Sequence, residues 1–333
     1  MSITVLKPGL LSSFQDMGRT GSQHLGVPVG GVMDARSHRL ANLLAGNEAD
    51  LATLEITLAG PTLQFDAPAC FAIGGADLQA TLNGDPVPCH RPLVARAGDV
   101  LAFRTARPDG GIRAYLAVHG GYALEPVLGS CSTYLRGGFG GHAGRALAKG
   151  DTIGLRASLP TQPEALDQLA QGLWQLRIYL PSPLAVQPRR HIRVLPGAHW
   201  DEFTDDARHQ LLHAEFRISP QSDRMGYRLD GPPLAMAAPR QILSEAINYG
   251  TVQVPAGGQA IVLMADRQTT GGYPKIAQVI TADLPALAQM GPGQAVRFAR
   301  VNLDEAQQLD SDREDAFAQL QDALSPLRVL LHA

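Results

Sequence analysis

Long apolar runs are missing from this 333-residue chain. No stretch approaches the roughly 18 apolar residues that a membrane-spanning helix needs. The start, Met1-Ser2-Ile3-Thr4-Val5-Leu6-Lys7-Pro8-Gly9, lacks the basic and then apolar segments of a secretory leader, so no membrane partner and a cytoplasmic location are expected. Cysteine is scarce: Cys70, Cys89 and Cys131 are odd in number and unrelated in spacing, which argues against a disulfide framework and for reduced thiols. There is no H-E-x-x-H and no paired C-x-x-C, and the ten histidines are scattered, so no metal is implied. A formal charge of -3 without a basic block gives no electrostatic footprint for nucleic acid. A phosphate-binding G-x-x-x-x-G-K-[ST] loop is absent too. The Gly-rich run from 137 to 144 has neither the flanking strand and helix nor the downstream acid of a dinucleotide site.

What the chain has instead is 35 glycines and 24 prolines with only 5% aromatics, a composition of short strands and frequent reversals. Its length exceeds the roughly 250–300 residues at which single cores stop growing. The expected fold is therefore mainly β with a few helices, in two linked β-barrel-like domains. The first, 1–157, carries alternating segments around residues 54–58, 62–65 and 78–82, an Asn83-Gly84 hairpin signal, and Gly-Asp turns at 98–99 and 150–151 that suggest a closed or sandwiched antiparallel sheet. Asp34 is placed to cap a helix bearing Leu40, Leu43 and Leu44, with Gly46 as its stop. A Pro- and Gln-containing region, 158–190, reads as a linker. In the second domain, 191–303, Thr204 can cap a helix and five segments (215–218, 251–254, 261–265, 276–280 and 295–299) read as strands. The tail, 304–333, is helical, and Phe317, Leu320 and Leu324 at helical spacing are expected to pack on the barrel.

The stretch 260–275 concentrates the chemistry. A short apolar run at 261–265 reads as a buried strand that stops at Asp266, and Arg267, Gln268, Thr269, Thr270, Gly271, Gly272, Tyr273 and Lys275 follow. A rigid strand that delivers an acid, two bases, an amide, hydroxyls and a flexible Gly-Gly pair suits a preorganised site. The bland alternative is a loop in which Asp266 and Arg267 pair with each other or cap backbone groups. Two further polar clusters are candidates. Asp16, Arg19 and His24 can bind a carboxylate or move a proton, or Asp16 and Arg19 can pair to shape a Gly-rich loop. Asp223, Arg224 and Tyr227 follow a strand, where Arg224 with Arg228 can clamp an anion or serve a turn.

The run Asp266-Arg267-Gln268-Thr269-Thr270-Gly271-Gly272-Tyr273-Pro274-Lys275-Ile276-Ala277 resembles the signature of the family called allophanate hydrolase subunit 2, also named the biotin-dependent carboxyltransferase family or the 5-oxoprolinase C subunit. The blocks Gln15-Asp16-Met17-Gly18-Arg19, Leu54-Glu55-Ile56-Thr57-Leu58 and Ser222-Asp223-Arg224-Met225-Gly226-Tyr227 agree, in order, across nearly the whole chain. The resemblance implies a cyclophilin-like C-terminal barrel and a component of an ATP-dependent 5-oxoprolinase. Such a component opens a small-molecule lactam to glutamate together with the 5-oxoprolinase B subunit, also called allophanate hydrolase subunit 1, and the A subunit. ATP is the implied cofactor, bound at or shared with a partner. On this reading Asp266, Arg267 and Lys275 are catalytic, and the Gln268–Tyr273 segment with the two other clusters binds substrate. The alternatives it leaves are a carboxyltransferase that takes CO2 from carrier-borne biotin, and a non-catalytic, KipA-like antagonist of a kinase inhibitor. One departure stands out at residues 244–250, where the family usually has Gly at 246 and Pro at 249, and this chain has Ala246 and Tyr249.

Overall fold

The computed structural model describes residues 1–108, 110–185, 191–238 and 240–332; the end of the expected linker, 186–190, lies outside the described residues. The chain forms two compact units, one from Met1–Gly18, Asp34–Val186 and Glu314–Ala333, the other from Arg19–Met33 and Gln187–Arg313. Among the described residues, no helix is long and apolar enough to cross a membrane.

The first unit holds β1 (Ser2–Lys7), β2 (Leu11–Gln15), β3 (Thr53–Thr57), β4 (Thr62–Phe65), β5 (Ala69–Gly75), β6 (Thr81–Leu82), β7 (Asp85–Pro86), β8 (Leu93–Ala95), β9 (Val100–Ala102), β10 (Arg113–Val118) and β11 (Thr152–Gly154). They make a six-stranded sheet, β11-β1-β4-β9-β6-β7, and a five-stranded sheet, β2-β3-β10-β5-β8. Alternate residues of both sheets meet in one core, where Ile3, Val5, Leu63 and Phe65 face Leu54, Ile56, Phe71 and Leu116. The rings of Phe65 and Phe71 stack with centroids 5.5 Å apart. Of the two arrangements that the strand pattern allows, this unit takes the sandwiched one. Asn83 (φ 54°) and Gly84 (φ 96°) turn the β6–β7 hairpin, both with the positive φ that such a turn demands.

The other face of the five-stranded sheet is polar and yet buried beneath the helix Ala35–Leu44. Tyr115 Oη donates to Glu55 (2.9 Å) and accepts from the Asp34 N–H (2.8 Å), while His38 Nδ1 lies 2.8 Å from Thr53 Oγ1. Asp34 caps the helix as its sequence position suggests, accepting from the Ser37 N–H at 2.9 Å. The region 158–190, read as a linker, instead carries a helix, Pro163–Gln175, that belongs to this unit. The tail also differs from expectation. From Glu314 onward the helix Leu303–Ala323 and the following helix Ser325–His332 pack in the first unit and not on the barrel. Arg39 explains this, because it donates twice to Glu314 (2.7 and 2.8 Å) and sits over the Phe317 ring at 3.8 Å.

The second unit holds β12 (His191–Pro196), β13 (Phe216–Ile218), β14 (Gly226–Asp230), β15 (Glu245–Ala246), β16 (Thr251–Gln253), β17 (Ile261–Leu263), β18 (Thr270–Gly271), β19 (Lys275–Val279) and β20 (Ala295–Arg300). Seven of them close a barrel in the order β12-β19-β16-β17-β14-β13-β20, and β15 pairs with β18 as a separate ribbon. All barrel pairs are antiparallel except β12 with β20, which are parallel. Ile192, Phe216, Val252, Val262, Ile276 and Phe298 fill the interior. Thr204 caps the helix Asp205–His213 through the Ala207 N–H at 3.1 Å. The five segments expected as strands are all present, each within two residues of its expected bounds.

Candidate functional site

The site candidate lies on the barrel, where β16 and β19 run side by side. A register shift lets Val252 pair with Ala277 and Gln253 with Lys275, which sets Lys275 opposite Gln253. Val252 belongs to the core, so its neighbour Gln253 points the other way. The β15–β18 ribbon covers both polar side chains. Lys275 Nζ donates to the Ala246 carbonyl (3.0 Å) and pairs with Glu245 Oε1 at 2.7 Å. His199 closes the group: its Nδ1 accepts from the Lys275 N–H at 3.1 Å, which leaves Nε2 to carry the proton, and Nε2 faces Glu245 Oε1 at 3.5 Å. The hydrogen bond from Lys275 is the main reason that the Glu245 carboxyl titrates below its ordinary range, with Lys275, His199 and Arg240 adding attraction. Lys275 is 8% exposed and Glu245 45%, so a nearly buried ammonium is reached through a half-open carboxylate.

The other end of the same stretch is built differently. The buried residues Met264 and Ala265 carry the chain from β17 to Asp266. Asp266 accepts from Arg224 Nε at 2.9 Å and from Arg224 Nη2 at 3.1 Å, and Nη2 also donates to the Gly31 carbonyl at 2.5 Å. Both side chains are buried. Arg19 joins the assembly: Gly30, at φ +66°, has Arg19 Nη1 and Asp266 Oδ1 at 3.4 and 3.7 Å from where a Cβ would stand. Asp266 therefore pairs with Arg224 and not with Arg267. In this structure the Asp266 carboxylate and the Arg224 guanidinium, named respectively as a catalytic group and an anion clamp, hold each other. Arg267 folds back toward the carbonyls of Ile247, Met264 and Ala265 (3.4–3.5 Å), with the Tyr249 ring 5.8 Å from its guanidinium. Burial draws the Arg267 pKa below its usual value, and attraction to Tyr249 and Asp266 offsets only part of this.

The remaining candidates separate into ribbon, turn and core. Gln268, Thr269, Thr270, Gly271 and Gly272 form or flank the ribbon; Thr269 accepts from the Ile247 N–H at 3.3 Å, and Ala246 pairs with Thr270. The altered segment 244–250 is thus the ribbon's other strand. Asp223 accepts from the N–H groups of Met225 (2.8 Å) and Gly226 (3.2 Å) and shapes a turn. Tyr227 is buried in the barrel core, its hydroxyl 3.4 Å from the Ala288 carbonyl. His24 stands exposed on a three-residue turn of helix, Gln23–Leu25.

Asp16, in the first unit, is held by side-chain and backbone donors of its own unit. Its carboxylate accepts from Ser130 Oγ (2.6 Å), Ser132 Oγ (2.6 Å), the Cys131 N–H (2.6 Å) and the Gly18 N–H (2.8 Å). Burial alone raises its pKa, yet these bonds outweigh that and bring it below the ordinary value. The Cys131 backbone serves this hub. Beside the ribbon, Gly272, Tyr273 and Pro274 help to line a cavity of about 540 Å³ whose other walls are mostly apolar, including Pro233, Leu234 and Met236. That is the size of a small-molecule pocket, and Tyr273 stands half-exposed at it. Among the described residues, no group of three or more His, Cys, Asp or Glu side chains can hold a metal ion.

Sequence reasoning missed His199, Glu245 and Gln253. His199 is 76 positions from Lys275 with no local pattern to mark it, and Gln253 looks like one more residue of a core strand. Only Glu245 had a signal, the departure at 244–250.

Residues 25–300 match the family described as carboxyltransferase domain, subdomain A and B. The chain is 40% identical to the 5-oxoprolinase C subunit of Escherichia coli (strain K12) over 96% of its own length and 97% of that protein's. It is 39% identical to the 5-oxoprolinase C subunit of Haemophilus influenzae over 94% and 95% of the two lengths. Among solved structures it superposes on the K. lactis urea amidolyase with a TM-score of 0.84 and 30% identity, covering 96% of this chain but only 20% of that one. A match over so much of the sequence, together with the barrel and the motif it carries, places this chain in the carboxyltransferase domain family, subdomains A and B.

Proposed function

We propose that this chain is the C subunit of an ATP-dependent 5-oxoprolinase, which opens the lactam of 5-oxoproline to glutamate together with the A and B subunits. The observation that carries the reading is collinearity: two proteins named as the C subunit of 5-oxoprolinase align with almost the entire chain and are almost entirely covered by it. A lactam amide resists hydrolysis. In this reading its oxygen attacks the γ-phosphoryl group of ATP and ADP leaves. Water then adds to the activated carbon, the ring C–N bond breaks with the nitrogen taking a proton, and a second water releases phosphate from the acyl phosphate. Each step develops negative charge on oxygen, and donors fixed on a rigid scaffold stabilise such charge.

Lys275 is the residue assigned to that task, with Arg267 lending a second positive charge from the same stretch. Lys275 is held on a barrel strand and its charge is kept in place by Glu245, so the ammonium itself stays fixed when an oxyanion replaces that partner. ATP is a co-substrate in this scheme. The sequence has no phosphate-binding loop, so its phosphates are assigned to a site shared with the partner subunits. The test is glutamate release from 5-oxoproline with ATP, comparing the chain alone with the chain plus the A and B subunits. Glutamate only in the full mixture is the expected result; none in either overturns the reading. A second reading rests on the likeness to the K. lactis urea amidolyase. In it the same donors stabilise the ureido oxyanion of departing carrier-borne biotin, and CO2 transfer to urea in place of glutamate release would select it.

A further inference from the structure

Gln253 presents an anomaly that the scheme above does not use. It is 1% exposed, and its Nε2 is buried with no hydrogen-bond partner. Leaving a buried amide donor unpaired is costly, and an apolar side chain of similar size at that position would avoid the cost. The amide does not point into the barrel core, since the adjacent Val252 does. It faces the ribbon: a Cβ on Gly271 would lie 2.8 Å from Gln253 Nε2, and 3.5 Å from Gln268 Nε2. Only a glycine lets the backbone come so close over the amide. Directly across from it stands Lys275, whose ammonium is occupied by two acceptors of the same ribbon, the Ala246 carbonyl and Glu245.

The cover over these two side chains is thin. β15 and β18 contribute two residues each, and Glu245, Ala246 and Thr270 are all exposed. A two-stranded ribbon of this length has little independent stability, so it opens at small cost relative to the barrel beneath it. Lifting it frees the Lys275 donors and exposes the Gln253 amide in one motion. Two kinds of donor then stand side by side, a neutral N–H pair suited to a carbonyl oxygen and an ammonium suited to an anion.

We infer that Gln253 is a substrate-binding residue concealed by the β15–β18 ribbon, donating from Nε2 to the carbonyl oxygen of a small amide of the lactam or urea class while Lys275 takes the negative charge beside it. The inference deepens the proposed function and rests on the same site, but it requires only that the substrate be such an amide. The unpaired amide is then a donor kept for a ligand, and its cost in the empty site is a cost of function.

The experiment measures equilibrium binding of two probes, 5-oxoproline and urea, to the chain assembled with its partner subunits. Wild type is compared with Gln253→Met, which keeps the side-chain length and removes the donor, and with Gly271→Ala, which keeps Gln253 and fills the gap above it. Thermal unfolding is recorded in parallel. The expected result is binding of at least one probe, weakened at least tenfold by Gln253→Met with Tm unchanged or raised, and weakened in the same direction by Gly271→Ala. Hydrogen exchange of residues 244–250 and 268–272 should rise when the probe is bound, because the ligand takes the place of the ribbon's contacts. Affinity unchanged in both variants, or binding of neither probe by wild type, overturns the inference. If the probe binds, loses affinity in Gln253→Met and yet yields no glutamate with ATP, the oxoprolinase reading fails and the inference stands.

Discussion

The stretch from Asp266 to Lys275 begins and ends on a charged group, and the two ends do opposite work. At its start, Asp266 and Arg224 bond through two oxygens and two nitrogens, and both are buried. At its end, Lys275 is held by a half-exposed Glu245 on a two-residue strand. Both are ion pairs within one motif. The difference is in the partner: Arg224 sits beside a barrel strand with its guanidinium locked to Gly31, whereas Glu245 sits on a ribbon that can leave. A charge with a fixed partner holds the fold in place, and a charge whose partner sits on a ribbon is open to the exchange for substrate proposed for Lys275.

The largest expected effect comes from breaking the first pair. Asp266→Ala should cost about 3–5 kcal/mol of unfolding free energy, because it strands a buried guanidinium. Denaturant titration reads this as a lower midpoint at unchanged slope. Asp266→Asn should lose part of that stability while the folded fraction keeps its specific activity; a thousandfold fall in kcat for folded Asp266→Asn would return Asp266 to the chemistry and dissolve the contrast.

Lys275→Met reverses the pattern. Losing one preorganised donor to a developing oxyanion costs about 10²–10³ in kcat, so glutamate release by the reconstituted complex should fall by that factor while stability shifts by less than about 1 kcal/mol. Full activity in this variant removes the role given to Lys275. A smaller effect belongs to His199, which orients Lys275 through its backbone and faces Glu245. His199→Ala should lower kcat by less than Lys275→Met does, with KM little changed, and His199→Gln should restore part of it by offering an acceptor to the Lys275 N–H.

The smallest effect is in acid. The Glu245 carboxyl titrates below its ordinary 4.5 when folded, so its contribution is complete above that value and is lost as pH falls through the lowered folded value. Because Glu245 is half-exposed the contribution is modest and salt-screened. Glu245→Gln should therefore flatten the acid limb of the stability curve slightly, and half-molar salt should mask the difference. A steep acid limb that survives in Glu245→Gln would assign it to other carboxylates, such as Asp16 or Asp151, whose pKa values are also lowered.

Local signals were legible and long-range ones were not. The Asn83-Gly84 turn, the caps at Asp34 and Thr204, and the buried run leading to Asp266 each act within a few residues, so the sequence displays them. The pairing of the motif's charged groups, by contrast, was hidden. Nothing near Asp266 shows that Arg224, 42 positions earlier, consumes its carboxylate. Nor does the tail reveal that Arg39, 275 positions before Glu314, draws it into the first unit. Apolar periodicity also gave no reason to treat Gln253 as anything but a lapse in a core strand, although it lies opposite Lys275.

The parallel pairing of β12 with β20 joins the first strand of the barrel to the last. During synthesis β12 emerges about a hundred residues before its partner, which at roughly 5–20 residues per second is an interval of on the order of 5–20 seconds. Until Ala295–Arg300 arrives, both β12 and β13 offer open edges to any strand nearby. Every growing copy on a polysome therefore passes through a sticky adolescence, and a ribosome that stalls before residue 295 leaves a fragment primed to pair with the wrong chain.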